Sequence, residues 1–318
     1  MISINVFCPL YNAESYIPRL LEGLRKQKNI CIKKIIFSVT ESSDKTLEMV
    51  KAEPDVSFFE ISKAEFSHSL TRERGMDRCT EDVVVFLSQD VILEDPLALY
   101  YLTKDIGKDG IVFSFARQTT MSEGIERYTR EKNYPPESYI MSSKDIEKYQ
   151  IKTFYSSDAC AAYDRNVFMA VDGYDHLNLC TNEDMYYCHK VITAGYKTKY
   201  CADATVIHSH NMKIREVYAR YYDTGIFFGQ CPKLNEYKSI GSGMDLAKYV
   251  LKRALQEFNV PVLIRFVPDM LARYLGKRNG TKNVMKDAEK TKTIKQPACH
   301  KAKQEQTLKE KGQDPLEP

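Results

Sequence analysis

The chain contains nine cysteines but no C-x-x-C pair, and the cysteines follow no regular spacing. Most lie in apolar context, as Cys160 does beside Ala159, Ala161 and Ala162. They read as buried free thiols in a reducing compartment. No charged start followed by an apolar core opens the sequence, so no signal peptide is expected. No stretch of about eighteen apolar residues is present, which excludes a spanning helix. Neither sign of charge dominates. Lys and Arg total 46 against 43 for Asp and Glu, a net of +3, so bulk charge gives no basis for nucleic-acid binding. No internal repeat is visible. What remains is 318 residues at 43% hydrophobic and 28% charged, enough for one large α/β domain and an appendage. The expected location is cytoplasmic.

The most informative stretch is Val83-Val84-Val85-Phe86-Leu87-Ser88-Gln89-Asp90. An unbroken apolar run of this kind reads as a strand buried on both faces, as in parallel sheets covered by helices. In open α/β sheets ligands bind beyond the carboxyl ends of the strands, where Asp90 falls. The competing reading is a strand-end cap, since Glu94-Asp95-Pro96 follows.

Strands are predicted at residues 2–9, 34–39, 56–61 and 83–90, with helices between them, the first capped by Asn12. This alternation predicts a parallel, doubly wound sheet. A helix over 97–105 and a strand over 111–116 follow. Residues 122–152 are polar and contain Pro135-Pro136, reading as a long excursion over a site. Residues 154–163 return to the core. A helix over 183–193, a strand over 200–208 and helical patterns over 214–228 and 243–275 complete the fold. The expected division is a domain over 1–230, a helical extension over 231–278 and a polar tail over 279–318.

Four stations carry candidate chemistry. Pro9-Leu10-Tyr11-Asn12 offers an aromatic face and a helix start, or simply a turn. In His68-Ser69-Leu70-Thr71-Arg72-Glu73-Arg74-Gly75, an Arg could reach a diphosphate, or the helix could present a solvated face. Asn182-Glu183-Asp184 opens a helix, where acids complement the dipole and one could act as a general base. Val206-Ile207-His208-Ser209-His210 puts both imidazoles on one face of a strand end. An Asp oxygen and an imidazole nitrogen would suit Mn²⁺ or Mg²⁺, with Mn²⁺ more tolerant of nitrogen.

In order, these stations resemble the family 2 glycosyltransferases of GT-A fold. P-L-Y-N (9–12) and S-S-D-K-T (42–46) match family segments, the second being similar to S-T-D-G-T. F-L-S-Q-D (86–90) stands where the family has D-x-D. N-E-D (182–184) resembles the segment carrying the catalytic base, and His208 falls where many members bind metal. A narrower likeness to rhamnosyltransferases runs through F-S-H-S-L-T-R-E-R-G (66–75) and V-V-V-F-L-S-Q-D. It continues through I-E-R-Y-T-R-E-K-N-Y-P-P-E-S (125–138), and the resemblance covers roughly residues 2 to 230.

The resemblance implies an α/β, mostly parallel Rossmann-like sheet and an inverting transferase. It implies a nucleotide-sugar donor, dTDP-L-rhamnose, and a glycan or lipid-linked glycan acceptor. Catalysis would fall to Asp184 and Glu183. Pro9, Tyr11, Glu41, Arg72, Gln89 and Asp90 would bind the donor, and Asp90 with His208 would hold Mg²⁺ or Mn²⁺. Four features depart from the pattern, one being Asp172-Gly173-Tyr174 where the family has G-G-F. Val39 replaces the usual base-contact Asp, Arg72-Glu73 replaces R-N, and one carboxylate remains of D-x-D. The departures leave open a protein that binds sugar nucleotide without transferring it. Nucleotidyl transfer is the other enzymatic reading, though Pro9–Ser15 lacks the glycine-rich loop it needs. The basic, amphipathic stretch 247–277 would dock on an anionic membrane surface, or pack on the domain or on the partner in a homodimer.

Overall fold

The computed structural model describes residues 1–238 and 242–291. The first half alternates β1 (Ile2–Leu10), α1 (Ile17–Arg25), β2 (Ile30–Thr40), α2 (Thr46–Lys51), β3 (Val56–Ile61), α3 (His68–Asp77) and β4 (Val83–Leu87). Then come β5 (Val91–Ile92), α4 (Ala98–Thr103), β6 (Ile111–Thr119), α5 (Ile125–Asn133), β7 (Tyr139–Met141) and α6 (Ile146–Tyr149). After β8 (Cys160–Asp164) the chain forms α7 (Arg165–Ala170), α8 (Glu183–Thr193), β9 (Lys197–His208) and α9 (Ile214–Gln230). The described chain closes with α10 (Pro232–Asn235), α11 (Ser242–Gln256) and α12 (Val260–Thr291).

The strands form one sheet ordered β3-β2-β1-β4-β8-β6-β9-β5, with β7 paired on β9. The expected parallel half spans β3, β2, β1 and β4. Beyond it the sheet is mixed, because β8 runs antiparallel to both β4 and β6. An antiparallel strand presents its start, not its end, at the edge where its neighbours finish. Residues 156–159 therefore arrive beside the end of β4, and Ser88 N donates to the Ala159 carbonyl at 2.9 Å.

β4 is buried on both faces, as its sequence predicts. Val85 and Leu87 join the core under α1 and α4, while Val84 and Phe86 join the aromatic core containing Phe7, Tyr163, Phe168 and Tyr187. Three local expectations change. Asn12 does not cap α1; Tyr16 holds that position without a side-chain cap, and Asn12 sits in the β1–α1 turn at φ 47°. The excursion over 122–152 is folded, since Ile125 and Tyr128 of α5 are buried against Val250, Ala254 and Val262. The polar tail expected from residue 279 starts as helix, because α12 runs to Thr291 along α9. A Cβ on Gly225, Gly276 or Gly280 would strike the facing helix backbone, so these glycines permit close packing of residues whose neighbours are polar. The tail beyond Thr291 lies outside the described residues.

Candidate active site

Strand order reverses between β1 and β4, the kind of crevice where open α/β sheets bind ligands. The ends of the two strands are joined there by one side chain. Tyr11 N donates to Gln89 Oε1 at 2.8 Å, and Gln89 Nε2 donates to the Tyr11 carbonyl at 3.0 Å. The loop before α2 cages the β1–α1 turn. Asn12 N donates to Ser42 Oγ at 3.0 Å, Ala13 N to Thr46 Oγ1 at 2.6 Å, and Glu14 N to Asp44 Oδ2 at 3.0 Å. Pro9 and Tyr11 are half-buried along this crevice and Glu41 is exposed at the end of β2. Val39 is buried in the core.

The β5–β9 pairing sets Val91 opposite His208 and so brings Asp90 alongside. His208 Nε2 lies 3.3 Å from Asp90 Oδ1, and His210 Nδ1 lies 3.6 Å from Asp90 Oδ2. The ligand-type atoms of the three residues all fall within 4.8 Å of one another. His208 Nδ1 stands 2.8 Å from Gln118 Oε1, an atom that can only accept. With the proton on Nδ1, as the shorter Gln118 contact favours over Arg130 Nη2 at 3.4 Å, the Nε2 lone pair faces the carboxylate. Two acceptors face each other, an arrangement that a cation completes and that the outer amide orients. Burial pushes His208 down, against the pull of Asp90 and with help from Arg130 and Arg220. Burial, then His208 and Arg220, push His210 down to about 3. Neutral imidazoles with one carboxylate are a donor set that fits Mn²⁺ better than Mg²⁺.

A second charged cluster lies at the start of α8. Asn182, at φ 58°, turns the chain into the helix so that Glu183 and Asp184 diverge. Asp184 faces a cavity of about 350 Å³ that is also lined by His208 and His210. Its Oδ2 accepts from Asp158 N at 3.1 Å and its Oδ1 from Met185 N at 2.6 Å. Glu183 turns inward to 4% exposure and pairs with Arg72 at 3.0 Å. Arg72, at 3% exposure, also pairs with Asp158 at 3.1 Å. One guanidinium thus serves two of three neighbouring carboxylates. Burial, then the charges of Asp158 and Glu183, push Asp184 up to about 8. They win over a helix start and two backbone donors that favour the anion.

Two sequence-predicted site residues lie buried beneath the cavity. Arg72 is buried beneath the site, where Asp158 and Glu183 engage its fork. Glu183 is that arginine's partner and does not line the cavity. Glu73 also gains a structural task. Its carboxylate accepts from Tyr174 N at 2.7 Å, and the Tyr174 hydroxyl donates to Asp158 at 3.2 Å. Sequence reasoning missed Asp158 and Gln118. An acid opening the apolar run Ala159–Ala162 was a signal for the first; the second needed the β6–β9 register. Helix α5 adds Glu126 and Arg130 to the cavity wall, and α9 and α12 add Arg220, Arg265 and Arg273.

The family model for glycosyl transferase family 2 matches residues 5–171, more than half of the chain. The chain belongs to glycosyl transferase family 2. The glycosyltransferase is 34% identical over 285 residues to the O-antigen chain rhamnosyltransferase RfbN of Salmonella typhimurium, covering 88% of this chain and 90% of that protein. It is 32% identical over 287 residues to WbaN of Salmonella anatum, also an O-antigen chain rhamnosyltransferase, with coverages of 88% and 90%. Among solved structures it is similar to the mannosyltransferase PcManGT of Pyrobaculum calidifontis in complex with GDP-Man and Mn²⁺. There the TM-score is 0.52 at 13% identity, over 93% of this chain and 77% of that one. Similarity to TarS of S. aureus has a TM-score of 0.53 at 15% identity, over 98% and 92%. These two likenesses carry the fold alone. Family membership sets nucleotidyl transfer aside. No helix of the described residues is long and apolar enough to cross a membrane.

Proposed function

We propose that the glycosyltransferase moves L-rhamnose from dTDP-L-rhamnose to a hydroxyl of a polysaccharide or lipid-linked glycan, inverting the anomeric centre, with Asp184 as general base. The observation that carries this reading is the Asp184 carboxylate, raised to about 8, in one cavity with His208 and His210. A base is most effective with a pKa near the working pH. Asp184 takes the proton of the acceptor hydroxyl while that oxygen bonds to the anomeric carbon. The bond from that carbon to the diphosphate breaks on the opposite face, and the electron pair leaves with the diphosphate. One displacement needs no covalent nucleophile.

Pro9 and Tyr11 flank the base, with Glu41 the nearest acid to the position that Val39 leaves without one. Gln89 fixes Tyr11 through its two amide hydrogen bonds. Asp90, His208 and His210 would hold a divalent cation. When bound, such an ion neutralises charge developing on the departing diphosphate. Arg220 borders the same cavity and its field reaches both imidazoles, so it takes the diphosphate-facing role first expected of Arg72. The rhamnosyl donor and glycan acceptor are supported by the names of the two Salmonella relatives. A lipid-linked acceptor would bring the enzyme peripherally to the inner face of the cell membrane.

The weakened-enzyme reading drew on Val39 and the single carboxylate left of D-x-D, and to a lesser degree on Glu73 replacing Asn. The carboxylate of Glu73 has a structural task, which removes that one ground and leaves the other two to the assay. A thermal-shift panel of nucleotide sugars with Mn²⁺, followed by assay of donor hydrolysis, tests the proposal. Stabilisation and slow hydrolysis are expected with dTDP-L-rhamnose. Stabilisation by another nucleotide sugar alone rejects the donor, and tight binding with no hydrolysis or transfer rejects the enzyme.

A further inference from the structure

Helix α12 turns both apolar residues (Val262, Leu263, Phe266 and Met270) and three charged ones inward, yet its outer side is apolar as well. Arg265, Asp269 and Arg273 face inward and line the cavity beside Asp184. The exposed positions over the same turns are Val260, Ile264, Val267, Leu271 and Tyr274, with two prolines among them. Their spacing of three and four residues places the five on one stripe. Ile264 is 73% exposed and Val267 67%. A helix facing water normally shows the reverse arrangement, and a contiguous apolar face marks an interaction surface.

The turn before α12 extends this face. Phe258 is 85% exposed and holds φ 52°, a conformation costly for a bulky side chain. On α11, Met244, Lys248, Leu251, Lys252 and Leu255 are exposed at helical spacing. The α12 stripe continues into exposed Arg278 and Lys282. Among the described residues no ion pair joins an acid to Lys248, Lys252, Arg278 or Lys282. Asp269 is buried, Asp245 pairs with Lys152 at 3.6 Å, and Glu257 pairs with Arg253 at 2.6 Å. A second copy of the same face would set cation against cation. A surface that is apolar within and anionic at its rim matches both parts.

We propose that this face docks on an anionic lipid bilayer. Phe258 and the α12 stripe enter the boundary between headgroups and acyl chains, and Lys248, Lys252, Arg278 and Lys282 meet lipid phosphates. The proposal rests on the transferase reading only for its purpose, which is to hold the arginine-lined cavity where a lipid-linked acceptor emerges.

Cosedimentation of the full chain with vesicles tests it without donor or acceptor. Vesicles of phosphatidylglycerol and phosphatidylcholine should bind the protein in a salt-sensitive manner, and phosphatidylcholine alone should bind it at least about tenfold more weakly. The double variant Ile264→Glu/Leu271→Glu should lose vesicle binding while keeping its melting temperature and its hydrolysis of donor. Lys248→Ala/Lys252→Ala should weaken binding to anionic vesicles only. Failure of the wild type to bind, or equal binding to neutral vesicles, overturns the proposal. So does a wild-type dimer in solution that Ile264→Glu/Leu271→Glu converts to monomer, since a second copy would then cover the face. Donor hydrolysis reports on the transferase reading separately.

Discussion

At the β1–β4 end of the site, Tyr11 and Gln89 share two amide hydrogen bonds, and Ser42, Asp44 and Thr46 cage the turn behind them. At the β8–β9 end, Asp90, Asp158, Glu183 and Asp184 gather around one buried arginine and two neutral histidines. The first region keeps its shape through amides, hydroxyls and the solvent-accessible Asp44 carboxylate, which backbone and hydroxyl donors satisfy, at little electrostatic cost. The second holds more negative charge than Arg72 can offset, in a partly buried volume where each uncompensated charge matters more. Shape is fixed at one end of the sheet edge and reactivity is set at the other.

The largest effect should come from the charged end. Asp184→Asn should lower kcat about a thousandfold while donor affinity, read by thermal shift, stays near wild type. Only the deprotonated carboxylate can accept the proton. With the pKa raised to about 8, wild-type kcat should climb with pH and level off above that value. A profile already flat from pH 5 would detach the base from Asp184.

Next is Arg72→Gln, which strands Asp158 and Glu183 without their counter-ion. A stability loss of about 3–5 kcal/mol is expected for breaking such a buried pair. In a domain of this size that lowers the melting temperature on the order of 10 °C. An unchanged melting temperature with weakened donor binding would restore Arg72 as a diphosphate contact.

Gln118→Leu should act more narrowly. Releasing the His208 tautomer should weaken Mn²⁺ binding about 10–100-fold by isothermal titration, leaving the fold intact. Unaltered Mn²⁺ affinity would show that His208 does not need its outer partner. The smallest effect belongs to the β1–β4 end. Gln89→Leu should cost about 1 kcal/mol in denaturant unfolding and raise the donor KM, with kcat unmoved. A fall in kcat instead would erase the contrast between the two regions.

Much of the β1-to-β4 half was legible because strands buried on both faces announce themselves as apolar runs. Asp184, Asp90 and His208 were legible as well, since each closes or opens a strongly patterned element. The burial of Arg72 and Glu183 was not. A charged residue on a helix reads the same whether it faces water or a buried carboxylate, and only burial against β8 separates the two. The start of α12's polar stretch misled for a related reason. Gly276, Gly280 and Val284 form a packing strip whose partners, Tyr218, Tyr222 with Gly225, and Gly229, lie on another helix.

The sequence by itself determined the alternating α/β framework, the order of the chemical stations and the family. Local period, strand-end position and motif order are properties of neighbours along the chain. The tertiary structure alone decided which carboxylate faces the cavity, which arginine is sealed beneath it, and that His210 joins Asp90 and His208. Those outcomes depend on the antiparallel entry of β8 and the β5–β9 register, which bring together residues 68 to 120 positions apart along the chain.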